Sequence, residues 1–223
     1  VMPASAQIKL VDGVLRLTPR PPGLNHPVDE FFHSLATEPS VRAIGIVLSG
    51  SGTDGTKGLR AIKSSGGLTF AQHSASAKFD GMPRNAVQSG CVDLVLPPEE
   101  IAGELIEIGR HPYWFRLHSP PASEEAANAL DGVLAVLRKV TGVDFSFYKR
   151  STLERRILRR VVLHRMEGVE PYVELVSRDR DEVHALFNDV LIHVTSFFRE
   201  PSLNEALRTV VFPPLLEHRP ADR

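Results

Sequence analysis

The run Ile44-Gly45-Ile46-Val47-Leu48 breaks into a glycine- and serine-rich loop, Ser49 to Gly55, and a helical pattern opens directly behind it. Strand, tight loop and helix in that order point to an α/β unit with a parallel sheet. Ligands and catalytic groups of such sheets collect in the loops that follow the carboxyl ends of strands. This loop carries a single carboxylate, Asp54.

Spacing alone leaves two roles for Asp54. It can cap the helix that begins at Gly55, by accepting from a backbone N–H without an intrahelical partner, or it can act in catalysis. A third reading is a dinucleotide site, because Gly50, Gly52 and Gly55 match the G-x-G-x-x-G pattern between a strand and a helix. That reading ranks lower. It sets Asp54 beside the pyrophosphate, where like charges repel, and the next strand, LTFAQ, ends on Gln72 and His73 with no acid for a ribose. A triad built from Ser49 or Ser51, His73 and Asp54 also ranks low, because Ser51 and Asp54 share one short loop.

Two longer motifs sharpen the expectation. SGSGTDGTKGLRAIKSSGG and FDGMPRNAVQSGCVDLVLPPEEIA resemble the catalytic domain of CheB-type chemotaxis receptor methylesterases, with the similarity running from about Met2 to Arg110. The opening MPASAQIKLVDGVLRLTP is similar to that family's β-hairpin. The resemblance implies a serine, histidine and aspartate triad that hydrolyses glutamate methyl esters on receptor helices, with Asp54 as its acid and no cofactor. It also implies a backbone N–H near Ser51 as an oxyanion donor, at a position where relatives carry methionine. A backbone donor tolerates that change. In such a triad the imidazole takes the serine proton, and the carboxylate fixes its tautomer and stabilises the imidazolium. The family's serine and histidine precede the hairpin and are not in this stretch, so the stretch by itself is expected to be inactive.

At 223 residues and 42% apolar composition the chain is long enough for two units and a sizeable core. No apolar run reaches membrane-spanning length and the start lacks a signal pattern, so a cytoplasmic protein is expected, without membrane insertion. The lone cysteine, Cys91, reads as a buried small apolar residue. Nine scattered histidines without paired spacing support no metal site. Val1 in place of an initiating methionine suggests a fragment.

The helix PPEEIAGELIEIGRH ends near His111, and residues 112–123 read as a linker. Beyond Glu124 the pattern is helical, with helices expected over Glu124–Val140, Ser151–Glu167, Pro171–Ser177, Asp181–Phe198 and Ser202–Leu216. The net charge of −1 hides a dense basic stretch: Lys149, Arg150, Arg155, Arg156, Arg159, Arg160 and Arg165 surround the single acid Glu154. Leu153, Ile157 and Val161 form an apolar stripe, while Arg156, Arg159 and Arg160 share another face. Like charges at i, i+4 repel, which favours an anionic partner. Overall neutrality and the absence of interleaved aromatics argue against nucleic acid.

VTGVDFSFYKRSTLERRILRRVVLHRMEG and LFNDVLIHVTSFFREP resemble the N-terminal helical domain of CheR-type receptor methyltransferases, over about Leu130 to Leu216. The resemblance implies that Arg155, Arg156, Arg159 and Arg160 meet the acidic methylation region of methyl-accepting receptor helices, and that Thr195 and Arg199 lie beside S-adenosylmethionine. His193 departs from the asparagine usual in relatives. An arginine fork suits a carboxylate of cofactor or substrate, although Arg199 could equally bond the terminal carbonyls of its own helix. The expected architecture is an α/β methylesterase part over residues 1–111, a linker over 112–123 and an all-α domain over 124–218. Residues 219–223 would then start a methyltransferase catalytic domain, and the whole would be part of a methylesterase–methyltransferase hybrid. The alternatives are a dinucleotide-dependent oxidoreductase and a noncatalytic receptor-binding module.

Overall fold

The computed structural model describes residues 6–20, 23, 26–38, 41–116, 124–191 and 207–213. The chain divides into a compact unit through Leu191 and a second unit, Ile192–Arg223.

The first unit opens with an antiparallel hairpin, β1 (Ala6–Val11) and β2 (Val14–Pro19), paired from Ala6 opposite Pro19 to Val11 opposite Val14. Asp12 and Gly13 both take positive φ, 52° and 73°. That is the two-residue turn whose twist matches the flanking strands. The hairpin is fastened to α1 (Pro27–Thr37) by a bond from Leu10 N to Ser34 Oγ at 2.9 Å and by the Lys9–Glu30 ion pair at 2.8 Å.

The parallel sheet has the order β3 (Ile44–Val47), β4 (Leu68–Gln72), β5 (Leu94–Leu96). All five residues of β4 are buried, as a central parallel strand covered on both faces requires. Helices α2 (Thr56–Ser65) and α3 (Gly81–Gln88) are the crossovers, and α4 (Pro98–Arg110) follows the last strand. Val47, Leu59, Ala86 and Cys91 form one small core, so Cys91 is the buried residue its sequence context suggests.

No strand occurs among the described residues beyond Glu124. The helices are α5 (Glu124–Thr141), α6 (Arg150–Leu163), α7 (Val169–Arg178) and α8 (Arg180–Val190). Helix α6 stops four residues earlier than its pattern suggests, since His164 leaves helical geometry and Arg165 has φ 53°. Residues 192–198 of the expected fourth helix lie outside the described residues. In the second unit, Leu207–Val211 form a π-helical turn inside the segment expected to be helical.

Leu68 and Phe70 of β4, Ile101 and Ile108 of α4, and Ile157 and Val161 of α6 share one buried cluster. The α/β part and the helices are therefore one body through Leu191, not two bodies on a free tether. Trp114, expected in a linker, is buried in a 3-10 turn over Pro112–Arg116, and its carbonyl accepts from Arg42 Nη1 at 3.1 Å.

Candidate active site

After β3 the chain turns into the glycine-rich loop, and neighbouring segments fix that loop peptide by peptide. Gly50 N donates to Phe79 O at 2.8 Å, and Met82 N donates to Gly50 O at 2.8 Å. Ser49 N donates to Gln72 Oε1 at 2.8 Å, Ser49 Oγ accepts from Phe79 N at 2.9 Å, and Asn85 Nδ2 donates to Gly52 O at 2.9 Å. A trans peptide holds its N–H opposite its C=O, so the bond on Gly50 O also sets the direction of the Ser51 N–H. A Cβ at Gly81 would stand 3.2 Å from Gly52 N and 3.3 Å from Gly50 O, so the loop and the start of α3 meet backbone to backbone. Ser51 itself is exposed at the tip.

Asp54 is half-buried at the foot of the loop. Its Oδ2 accepts from Val28 N at 3.1 Å and its Oδ1 from Asp29 N at 2.9 Å. These amides open α1, where no intrahelical acceptor exists and where His26 supplies no side-chain cap. Asp54 therefore does cap a helix, but the neighbouring one. Asp29 returns the arrangement: its Oδ1 accepts from Gly58 N at 2.8 Å, in the first turn of α2. A Cβ at Gly58 would lie 3.1 Å from Asp29 Cα, so α1 and α2 touch at that glycine. Two positive helix ends are thus each met by a carboxylate from the partner segment. Two bonds occupy about half of the acceptor capacity of the Asp54 carboxylate, leaving lone pairs for an imidazole.

His26, Asp29 and Asp54 present ligand atoms within 4.8 Å of one another. Both carboxylates already bond helix amides, as a pair of caps. His26 is the one imidazole of this cluster, and nothing in its local sequence signals the proximity. Ser49 and His73 are engaged away from Asp54: Ser49 Oγ accepts from Phe79 N, and His73 Nδ1 accepts from Ala75 N at 3.2 Å. The dinucleotide reading also loses its anchor, because Asp29 holds a first-turn amide of α2 that a phosphate would use.

The arginine helix departs most from expectation. Leu153, Ile157 and Val161 are buried as their stripe requires, but Arg156 and Arg159 are only 4% and 0% exposed. They are not an open recognition face in this structure. The Arg156 guanidinium donates to Lys63 O and Ser64 O, the last carbonyls of α2. Arg159 donates from Nε to Gly67 O at 2.8 Å and reaches Asp93 and Asp189 with its two other nitrogens. Lys63 Nζ stands 3.0 Å from Asp93 and 3.7 Å from Asp189. Asp93 Oδ2 also accepts from Thr69 N at 2.9 Å and Thr69 Oγ1 at 2.8 Å. Burial works to raise the Asp93 carboxyl, but Arg159 and Lys63 outweigh it and hold it below the ordinary value.

Arg160 grips Glu182 with two nitrogens, Nε at 2.8 Å. Glu182 also accepts from Tyr172 Oη at 2.6 Å and lies 2.8 Å from His164 Nε2. Burial would raise this carboxyl, yet the bonds from His164, Arg160 and Tyr172 bring it down to about 2. Arg155 is half-buried, its stem against Gly66. Burial lowers its pKa. Thr195 and Arg199, the expected cofactor residues, and His193 lie outside the described residues. Asp29 lies outside the quoted motifs, and Asp93 and Asp189 lie inside them with no role signalled, since each acts through a contact distant in sequence.

An α/β corner with a fixed acid and an amide-bearing loop, joined to a helical bundle, defines the class of this chain. Residues 1–105 match the model of the CheB methylesterase family, and residues 128–191 match that of the CheR methyltransferase all-alpha domain. The chain thus carries a segment similar to CheB methylesterases followed in the same polypeptide by one similar to the CheR all-alpha domain. It is 34% identical to an uncharacterized 104.1 kDa protein in the hypE 3' region of Rhodobacter capsulatus, over 97% of this chain and 25% of that protein. It is 47% identical to a protein-glutamate methylesterase/protein-glutamine glutaminase of Moorella thermoacetica, over 36% of this chain and 19% of that protein. The crystal structure of the Thermotoga maritima CheB methylesterase catalytic domain is 30% identical with a TM-score of 0.43, covering 48% of this chain and 59% of that one. The chain thus spans about a quarter or less of these two curated relatives. Among the described residues no helix is long and apolar enough to cross a membrane.

Proposed function

We propose that this chain is part of a cytoplasmic protein that edits the methylation of receptor glutamates in both directions. In the esterase direction Asp54 is the triad acid. It orients and stabilises the imidazole that activates a serine, and the Ser51 N–H stabilises the oxyanion formed at the ester carbonyl. The observation that carries this reading is the double anchoring of Asp54 on the Val28 and Asp29 amides beside a loop whose Gly50–Ser51 peptide is itself bonded in place. Such an acid is fixed before substrate arrives, as preorganised catalysis requires.

In the transferase direction the helical domain meets acidic receptor helices through Arg155, Arg156, Arg159 and Arg160. Thr195 and Arg199 contact S-adenosylmethionine, which supplies the methyl group. The substrates are methyl-accepting receptor helices, not nucleic acid. The test is methanol release from methylated receptor by the native protein that carries this chain. Asp54→Ala should remove the release while leaving S-adenosylmethionine-dependent methylation intact. Undiminished release by that variant would overturn the esterase assignment.

A further inference from the structure

The contact of α6 with α2, β4 and β5 is built from cations that lack enough anions. Lys63, Arg156, Arg159 and Arg160 face Asp93, Asp189 and Glu182, and half-buried Arg155 adds a further positive charge. Arg156 shows the shortfall most directly. It is 4% exposed, and among the described residues its guanidinium meets only the carbonyls of Lys63 and Ser64 and its buried Nε has no partner. Burial and the charges of Arg159 and Arg155 push its pKa down to about 10. The negative end of α2 satisfies this guanidinium through partial charges, where a carboxylate would do so with a full one. Among the described residues the buried Arg155 Nε likewise has no partner.

We propose that the end of α2, Lys63 to Gly67, together with Asp93, is a cis-acting site for the arginine helix, and that an acidic helical partner competes with it for Arg155, Arg156 and Arg159. This rests on the receptor reading given above and adds its regulation. While the joint is closed, the esterase region occupies the guanidinium groups that a glutamate-bearing helix would bind. Engagement of such a helix then requires α6 to leave the α/β part. The partner offers what the joint lacks, carboxylates spaced along one face of a helix, and binding is limited by the fraction of open joint.

The test uses the native protein and an alanine-based helical peptide with glutamates at i, i+3 and i+4. Asp189→Asn removes one anion of the joint and should tighten peptide binding by roughly tenfold. Adding Arg156→Glu to that variant should abolish the gain. Equal affinity of wild type and Asp189→Asn overturns the competition. In wild-type protein, saturating peptide should accelerate hydrogen exchange at the Gly67, Leu68 and Thr69 amides. Unchanged exchange with the peptide bound also overturns the competition, and this measurement decides the case if Asp189→Asn fails to fold. Displacement of the peptide by an oligonucleotide as effectively as by unlabelled peptide would show a general polyanion site and overturn the acidic-helix partner. If no form of the protein binds the peptide while methanol release persists, the receptor reading of α6 falls and the esterase reading stands.

Discussion

Helix α2 is held at both ends by charged side chains from elsewhere in the chain, and the two ends differ in kind. At its start Asp29 accepts from Gly58 N, and Asp54 performs the matching task for α1. At its end Arg156 donates to the Lys63 and Ser64 carbonyls, within a buried network of Arg159, Asp93, Asp189 and Lys63. The first corner joins carboxylates to backbone amides and leaves acceptor capacity at a half-exposed rim. The second joins arginines to backbone carbonyls and to buried carboxylates in the interior. A half-exposed rim is suited to chemistry, while a buried charge cluster is suited to holding two segments in one arrangement or releasing them together.

The sharpest way to break this contrast is to alter one corner and measure at both. In the complete esterase, Asp54→Asn should lower kcat by about 10⁴, the size of effect seen when a triad carboxylate is neutralised, with methyl transfer unaffected. A loss below about tenfold would return Asp54 to a cap alone. In the buried corner, Arg159→Met leaves Asp93 and Asp189 short of their main partner and should cost about 3–5 kcal/mol in urea unfolding, the usual penalty for breaking a buried pair from one side. A cost under about 1 kcal/mol would mean that the joint opens freely.

Glu182 adds a pH signature. Its carboxyl sits near 2 in the folded chain against an ordinary 4.5. The stability it contributes is therefore present above about pH 4.5 and is lost as pH falls toward 2. Glu182→Gln should flatten the acid limb of the unfolding profile in that window, and an unchanged limb would place the acid sensitivity elsewhere. Asp29→Ala removes the cap on Gly58 and should cost about 1 kcal/mol. The smallest effect is expected from Arg150→Ala, whose exposed pairs with Asp131 at 2.9 Å and Glu154 at 3.0 Å should be worth under about 1 kcal/mol.

The corner at Asp54 was legible because its parts are close in sequence. An apolar strand, a glycine loop, one carboxylate and a helix follow one another between Ile44 and Ser65, and two family-like motifs surround them. Even so, the capping role that spacing left open concerned the helix following Asp54, whereas the structure sends the carboxylate to α1, 25 and 26 residues upstream. The arginine helix was legible as a helix with an apolar stripe and misread as a surface. Five arginines along a helix look solvated or partner-seeking when their counterions are invisible, and Asp93 lies 66 residues from Arg159.

The sequence by itself determined the strand–loop–helix order around Asp54, the helical pattern after Glu124 and the importance of the loop at Asp54, while the opening hairpin was expected from the resemblance alone. The first three follow from periodicity, breaker residues and spacing, which are local. Only the tertiary structure decided that residues up to Leu191 form one body, that Asp29 and Asp54 cap each other's helices, and that Arg156 and Arg159 turn inward. The reason is that a charge can be buried only when its partners surround it in three dimensions, and no local pattern records where those partners will arrive.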